Sequence, residues 1–145
     1  MFYMSEYLEG NRSEYYDRLL AITKNGDWHG WIAFFLNAIS VQAERNLNKV
    51  RDIRDLYEET KRKVLEITHS QFAIGAVDAL FSQPIISGTA FAAKAGFANR
   101  VTANNMLLQL EAEGIITRIR EGAGRTPAIY ALPRLINVTE GQEIF

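Results

Sequence analysis

Ala95–Ile116 reads AGFANRVTANNMLLQLEAEGII. Gly96 stops the helix that precedes it, because a residue without Cβ accepts the left-handed backbone of a helix end. Phe97 is the apolar plug of the turn that follows. Asn99 or Thr102 then opens a helix, since either side chain can accept from an unpaired backbone N–H. Ala103, Met106, Leu107 and Leu110 fall on one face at helical spacing and should be buried. Gly114 ends the helix. Ile115, Thr117 and Ile119 then alternate with Ile116, Arg118 and Arg120, the period of a half-buried strand.

Working outward, Ala73, Ile74, Val77, Leu80 and Phe81 predict a helix that closes at Ser82, just before Pro84. Ile85-Ile86 is a stub strand. Ser87 or Thr89 caps a helix over 90–95, whose residues Ala90, Phe91, Ala92, Ala93 and Ala95 are expected to let a neighbouring helix approach. Beyond Arg120, residues 122–126 (GAGRT) form a turn, and Pro127–Leu132 is the return strand, with Pro127 at its start, where a missing N–H matters least. Residues 134–145 read as a short helix or irregular end. Ile136 and Val138 are expected to pack back on the hairpin, and the polar end to be loose.

Helix, short strand, helix, turn, helix, two-stranded hairpin is the order of a winged helix-turn-helix. The quoted block also resembles winged-helix modules, in which an L-x-x-x-G-[IL]-[IL] ending, here Leu110 to Ile116, leads into the wing. The expected fold class is therefore mainly α, a helical N-terminal half followed by a winged helix-turn-helix with a small antiparallel β-hairpin.

Composition bounds the remaining possibilities. The chain has 145 residues, 48% of them hydrophobic, which is ample for a core and argues against disorder. It has no cysteine, which rules out disulfides and thiolate metal sites and suits a reducing cytosol. Acids among the first apolar residues (Glu6, Glu9, Glu14) are unlike a signal peptide, and no apolar run approaches the ~20 residues that span a bilayer. A cytoplasmic protein without membrane contact is expected. Residues 1–71 hold ten Lys/Arg and eleven Asp/Glu, and residues 72–145 hold six of each, so neither half is basic overall.

In the first half, Tyr15, Tyr16, Leu19, Leu20 and Ile22 recur at near-helical spacing. Ser5 or Asn11 can cap short helices. Asn25-Gly26 breaks the chain, and Asp27 caps the next helix. That helix carries Trp28, Ile32, Phe35, Leu36, Ile39 and Ala43, with Trp31, Phe34 and Val41 on other faces. A helix so apolar needs cover on several sides. The cover is a second chain, the next long helix, or helices lying outside this sequence. Leu47, Val50, Ile53, Tyr57, Val64 and Ile67 form a sparser stripe over 44–68. Between them lie mixed charges such as Glu58 and Arg62, which an i,i+4 pair would join. No Pro or Gly occurs between Trp31 and Phe72, so no flexible linker is expected.

Asn11–Tyr16 (NRSEYY) and Gly26–Leu36 (GDWHGWIAFFL), with Tyr3–Leu8 (YMSEYL) before them, resemble the last helices of the Fic family. Members of that family transfer AMP from ATP to protein hydroxyls. The resemblance covers residues 1–44 and implies three segments: 1–44 as C-terminal helices of a Fic-like domain, 45–71 as a connecting helix, 72–145 as the winged helix. The family's chemistry lies in a loop H-x-F-x-[DE]-G-N-G-R, whose histidine is the base, whose glycines cradle phosphates and whose acid holds magnesium. That loop does not occur here, and the two histidines, His29 and His69, are not followed by its pattern. The resemblance therefore implies no catalytic residue, metal ligand or cofactor in this chain, although ATP and magnesium serve the intact family. Tyr16 is the one position carried over, toward the adenine side of the nucleotide pocket. Trp28 and Trp31 are expected as core anchors.

If the third helix of the winged module enters a major groove, Asn99, Arg100, Thr102, Asn104 and Asn105 are its polar candidates. Arg118, Arg120 and Arg125 on the wing are candidates for phosphates. Glu111, Glu113 and Glu121 nearby oppose that use. Duplex DNA and a protein partner, including a second copy in a homo-oligomer, both remain open. The expected role is a non-catalytic C-terminal part of a Fic-type adenylyltransferase with a binding module. The alternative is a free-standing winged-helix transcription regulator with N-terminal dimerisation helices.

Overall fold

The computed structural model describes residues 4–145. The chain is mainly helical with one small antiparallel sheet. It divides into two compact units at Arg51/Asp52, so the segment 45–71 is shared between them.

The first unit holds α1 (Met4–Gly10), α2 (Arg12–Asn25) and the opening of α3, a 41-residue helix spanning Trp28–Thr68. Asn11 sits at the N-cap position of α2 but does not cap it. Its side-chain amide instead donates to the carbonyl of Tyr7 (2.8 Å), closing α1. Ser5, the other cap candidate, lies within α1. Gly26 takes the left-handed backbone at φ 66°. Asp27 caps α3 by accepting from the Gly30 N–H (2.9 Å). A Cβ on Gly30 would run into that carboxylate.

Tyr7, Phe34 and Ala38 are the buried centre of this unit, with Tyr15, Trp31 and Val41 packed against them. The aromatic rings meet in tilted pairs, Tyr15 with Trp31 at 5.6 Å and Tyr7 with Phe34 at 6.1 Å. Trp31 is thus a core anchor, but Trp28 is 58% exposed. The packing partners of α3 here reach only its Phe34–Ala38–Val41 side, and Trp28 points elsewhere. Ile32, Phe35, Leu36 and Ile39 are exposed with it.

The second unit takes in α3 from Asp52, where the buried stripe is Leu56, Thr60 and Val64, with Ile53, Tyr57 and Ile67 against it. Leu47 and Val50, expected in that stripe, are exposed, because at 3.6 residues per turn they fall off the face that carries Leu56, Thr60 and Val64. Glu58 pairs with Lys61 (4.0 Å) rather than Arg62. The helix ends at His69, a non-glycine residue at φ 46°.

There follow α4 (Ala73–Ser82), β1 (Ile85–Ser87), α5 (Gly88–Lys94), α6 (Arg100–Ala112), β2 (Thr117–Arg120), β3 (Ile129–Ala131) and α7 (Pro133–Glu140). The sheet order is β1-β3-β2, all antiparallel, with Ile86 and Arg118 both opposite Tyr130. Ser87 caps α5, accepting from the Ala90 N–H (3.2 Å), and Asn99 caps α6, accepting from the Val101 N–H (2.8 Å). Phe97 plugs the α5–α6 turn, its ring 4.6 Å from Phe72 and 5.7 Å from Phe91.

Two expectations for the hairpin and tail need correction. Ile115 and Ile116 are both buried before β2 begins, while Thr117 and Ile119 are exposed. The inward side of β2 is Arg118, because its partner Tyr130 shares a sheet face with buried Ile86. The tail is held, since Asn137 accepts from the Ile144 N–H (2.9 Å) and donates to the Phe145 carbonyl (3.3 Å). Within α7, Val138 joins the main core and borders Leu56 of α3, and Arg134 grips Glu59 of α3 with two bonds (2.6 and 2.9 Å). Hydrogen bonding from Arg134 is the main reason the Glu59 carboxyl lies below its usual range.

Gly75 is where α4 meets the end of α5. A Cβ there would stand 2.7 Å from the Ala95 carbonyl oxygen, a backbone atom with no rotamer to yield. Helix propensity alone favours Gly75→Ala by about 1 kcal/mol. Overpacking opposes it by about 1–3 kcal/mol. Urea unfolding should show Gly75→Ala less stable than the parent, and a raised midpoint would refute the close approach.

Candidate nucleic-acid interface

Helix α6 buries Ala103, Met106, Leu107 and Leu110, which sets its rotation. The opposite face then has to look outward, since residues three and four apart share a side. That face is Val101, Asn105, Leu108 and Ala112, all exposed. Arg100 and Asn104 flank it on one side, Thr102 and Gln109 on the other, and these too are exposed.

The structure brings Asn99, Arg100, Thr102, Asn104 and Asn105 together on the first turns of α6. Asn99 is committed to the cap. The side chains of Arg100, Thr102, Asn104 and Asn105 have no hydrogen bond or ion pair within the described residues, so their donors and acceptors are open to a ligand. Arg100 and Asn104 also edge a cleft of about 220 Å³ floored by Leu107, Ala128 and Tyr130, with Thr89 across it.

The three hairpin arginines differ. Arg118 is bound to Glu111 and to Glu121 (2.9 Å), and its guanidinium lies 5.4 Å from the centre of the Tyr130 ring. The hydrogen bonds to Glu121 and Glu111 hold it charged well beyond the ordinary range. Arg118 is thus a bolt between α6 and the hairpin, its charge already matched. Arg120 makes one long bond to the Pro127 carbonyl (3.4 Å) and no ion pair. Arg125 is exposed in the turn beside Gly124, whose φ of 56° reverses the chain.

No protein-family model matches the chain.

Tyr16 lies far along the sequence from this face, in the first unit. It is 53% exposed, edge-on to Tyr15 at 5.3 Å, with the Arg12 guanidinium 5.7 Å from its ring centre. Among the described residues, no three His, Asp or Glu side chains are grouped to hold a metal ion, and no helix is long and apolar enough to cross a membrane.

Sequence reading missed Val101 and Leu108 as members of the exposed face. The signal was present: both stand opposite the four residues correctly assigned to the core. It also counted Glu111 and Glu121 as free acids, whereas Arg118 neutralises them in part.

Replacing Arg118 with Met removes both ion pairs and leaves two carboxylates facing each other near α6. With Arg118 and Glu111 only partly exposed, the expected cost is about 1–2 kcal/mol in urea unfolding, smaller at high salt. Arg125→Met, in the exposed turn, should stay within about 0.5 kcal/mol of the parent. Equal behaviour of the two variants would show that Arg118 holds nothing.

Proposed function

We propose that residues 72–145 form a winged helix that docks on duplex DNA, with α6 in the major groove and the β2–β3 turn against the backbone. One observation carries this reading. The outward face of α6 presents Arg100, Thr102, Asn104 and Asn105 without internal partners, while two of the nearby acids are held by Arg118. Arg100, Arg120 and Arg125, none of them in an ion pair among the described residues, supply the positive charge that the overall balance of −1 conceals. Phosphate contacts of this kind position a protein, and base edges met by the helix confer preference.

For three phosphate contacts the expected slope of log K against log salt is roughly −2.7, so affinity falls about 40-fold between 50 and 200 mM salt. Arg100→Ala with Arg125→Ala should flatten the slope by about 1.8. Fluorescence anisotropy on a labelled duplex measures both. Binding that ignores salt, or no binding at 50 mM, would turn the reading toward protein contact.

We further propose that the first unit is scaffold of Fic type rather than a catalytic site. Two things support this. The resembling block GDWHGW does structural work at Gly26, Asp27 and Gly30, and the chain lacks the transfer loop. Incubated with labelled ATP and magnesium, the chain should leave no AMP on itself or on added protein. Label transferred to a hydroxyl would overturn the assignment.

A further inference from the structure

We propose that α6 selects an A·T base pair, with Asn105 on the adenine edge and Val101 against the thymine methyl. The inference rests on the DNA-docking reading and deepens it. At 65% exposed, Val101 is solvated further than any other large apolar side chain of the described residues. It is β-branched and sits on the first turn of a helix, where it neither packs nor favours the helical backbone.

One turn on, along the same outward line, stands Asn105, exposed, whose amide has no partner among the described residues. Leu108 follows, 44% exposed. An amide between two apolar side chains matches one base pair in the major groove. Adenine offers N7 and N6–H to a bidentate Asn, and its partner thymine offers the C5 methyl to an apolar contact. The rise of one helical turn, ~5.4 Å, keeps Val101 and Asn105 within reach of the same or the adjacent pair.

Guanine is the alternative, and it would call for Arg on that line. Arg100 instead lies on the flank, at the rim of the cleft with Thr89 and Asn104, the side suited to a backbone phosphate. Charge complementarity favours a nucleic acid over a protein as occupant: among the described residues Arg100 and Arg125 are in no ion pair, and of the three nearby acids Glu111 and Glu121 are tied to Arg118, leaving Glu113.

The test uses the full chain and a pool of random duplexes at low salt, selected by retention. Recovered sequences should share an A·T position. On the selected duplex, 7-deazaadenine at that position removes N7, and uracil for thymine removes the methyl. The parent chain should lose about tenfold for the first and a smaller factor for the second. Asn105→Ala should no longer distinguish adenine from 7-deazaadenine, and Val101→Ala should no longer distinguish thymine from uracil. Both side chains are exposed, so circular dichroism should match the parent. Salt-sensitive binding with no base preference, or variants that keep the parent's discrimination, would overturn this inference and leave the docking reading intact. No duplex retained at any salt would overturn both.

Discussion

The rotation of α6 about its own axis is the constraint on which the second unit depends. Ala103, Met106, Leu107 and Leu110 commit one side of the helix to the core. A single helix cannot bury that side without presenting its opposite, so Val101, Asn105 and Leu108 are outside by geometry. The neighbours that receive the buried side are themselves fixed. Gly75 lets α4 touch the Ala95 carbonyl, Phe97 fills the turn, and Ile86 and Tyr130 back the sheet. Losing any of these would turn or tilt α6, and the line of outward residues would face elsewhere.

Electrostatics decide what that line can meet. A formal balance of −1 suggests indifference to phosphate. Arrangement matters more than the sum at this distance, because charges beyond ~10 Å are screened at ordinary salt. Arg118 is spent on two acids beside α6, and it thereby offsets part of the repulsion they would exert. Among the described residues, Arg100, Arg120 and Arg125 are in no ion pair. One arginine used as a bolt thus makes the others more effective, which neither the composition nor the list of basic residues conveys.

Local signals with a mechanism were legible in the sequence. Asp27, Ser87 and Asn99 cap where a side-chain oxygen should, Gly26 and Gly124 turn where φ is positive, and the four core residues of α6 follow from period alone. What failed was the choice among competing partners, local or distant. Asn11 bonds backward to Tyr7 instead of forward, a choice between two equally local donors and acceptors. Arg118 faces inward because Tyr130, twelve residues later, offers its ring and Glu111, seven earlier, its charge. Alternation alone put Thr117 and Ile119 there. In the proposed interface, the polar members were found by type, while Val101 was overlooked because an apolar residue on a helix is first assumed to be buried.

The first unit poses the opposite problem. Its described core is Tyr7, Phe34 and Ala38, whereas Trp28, Ile32, Phe35, Leu36 and Ile39 stand in solvent on the same helix. Small units bury too little apolar surface to offset the entropy of folding unless something else covers them. Monomeric surfaces rarely keep so many large apolar groups together. Asp27 and Gly30 fix the start of α3 tightly, which sets the direction in which those side chains point. A helix so carefully begun and so incompletely covered is better suited to receiving another surface than to standing alone, and that is the property a scaffold needs.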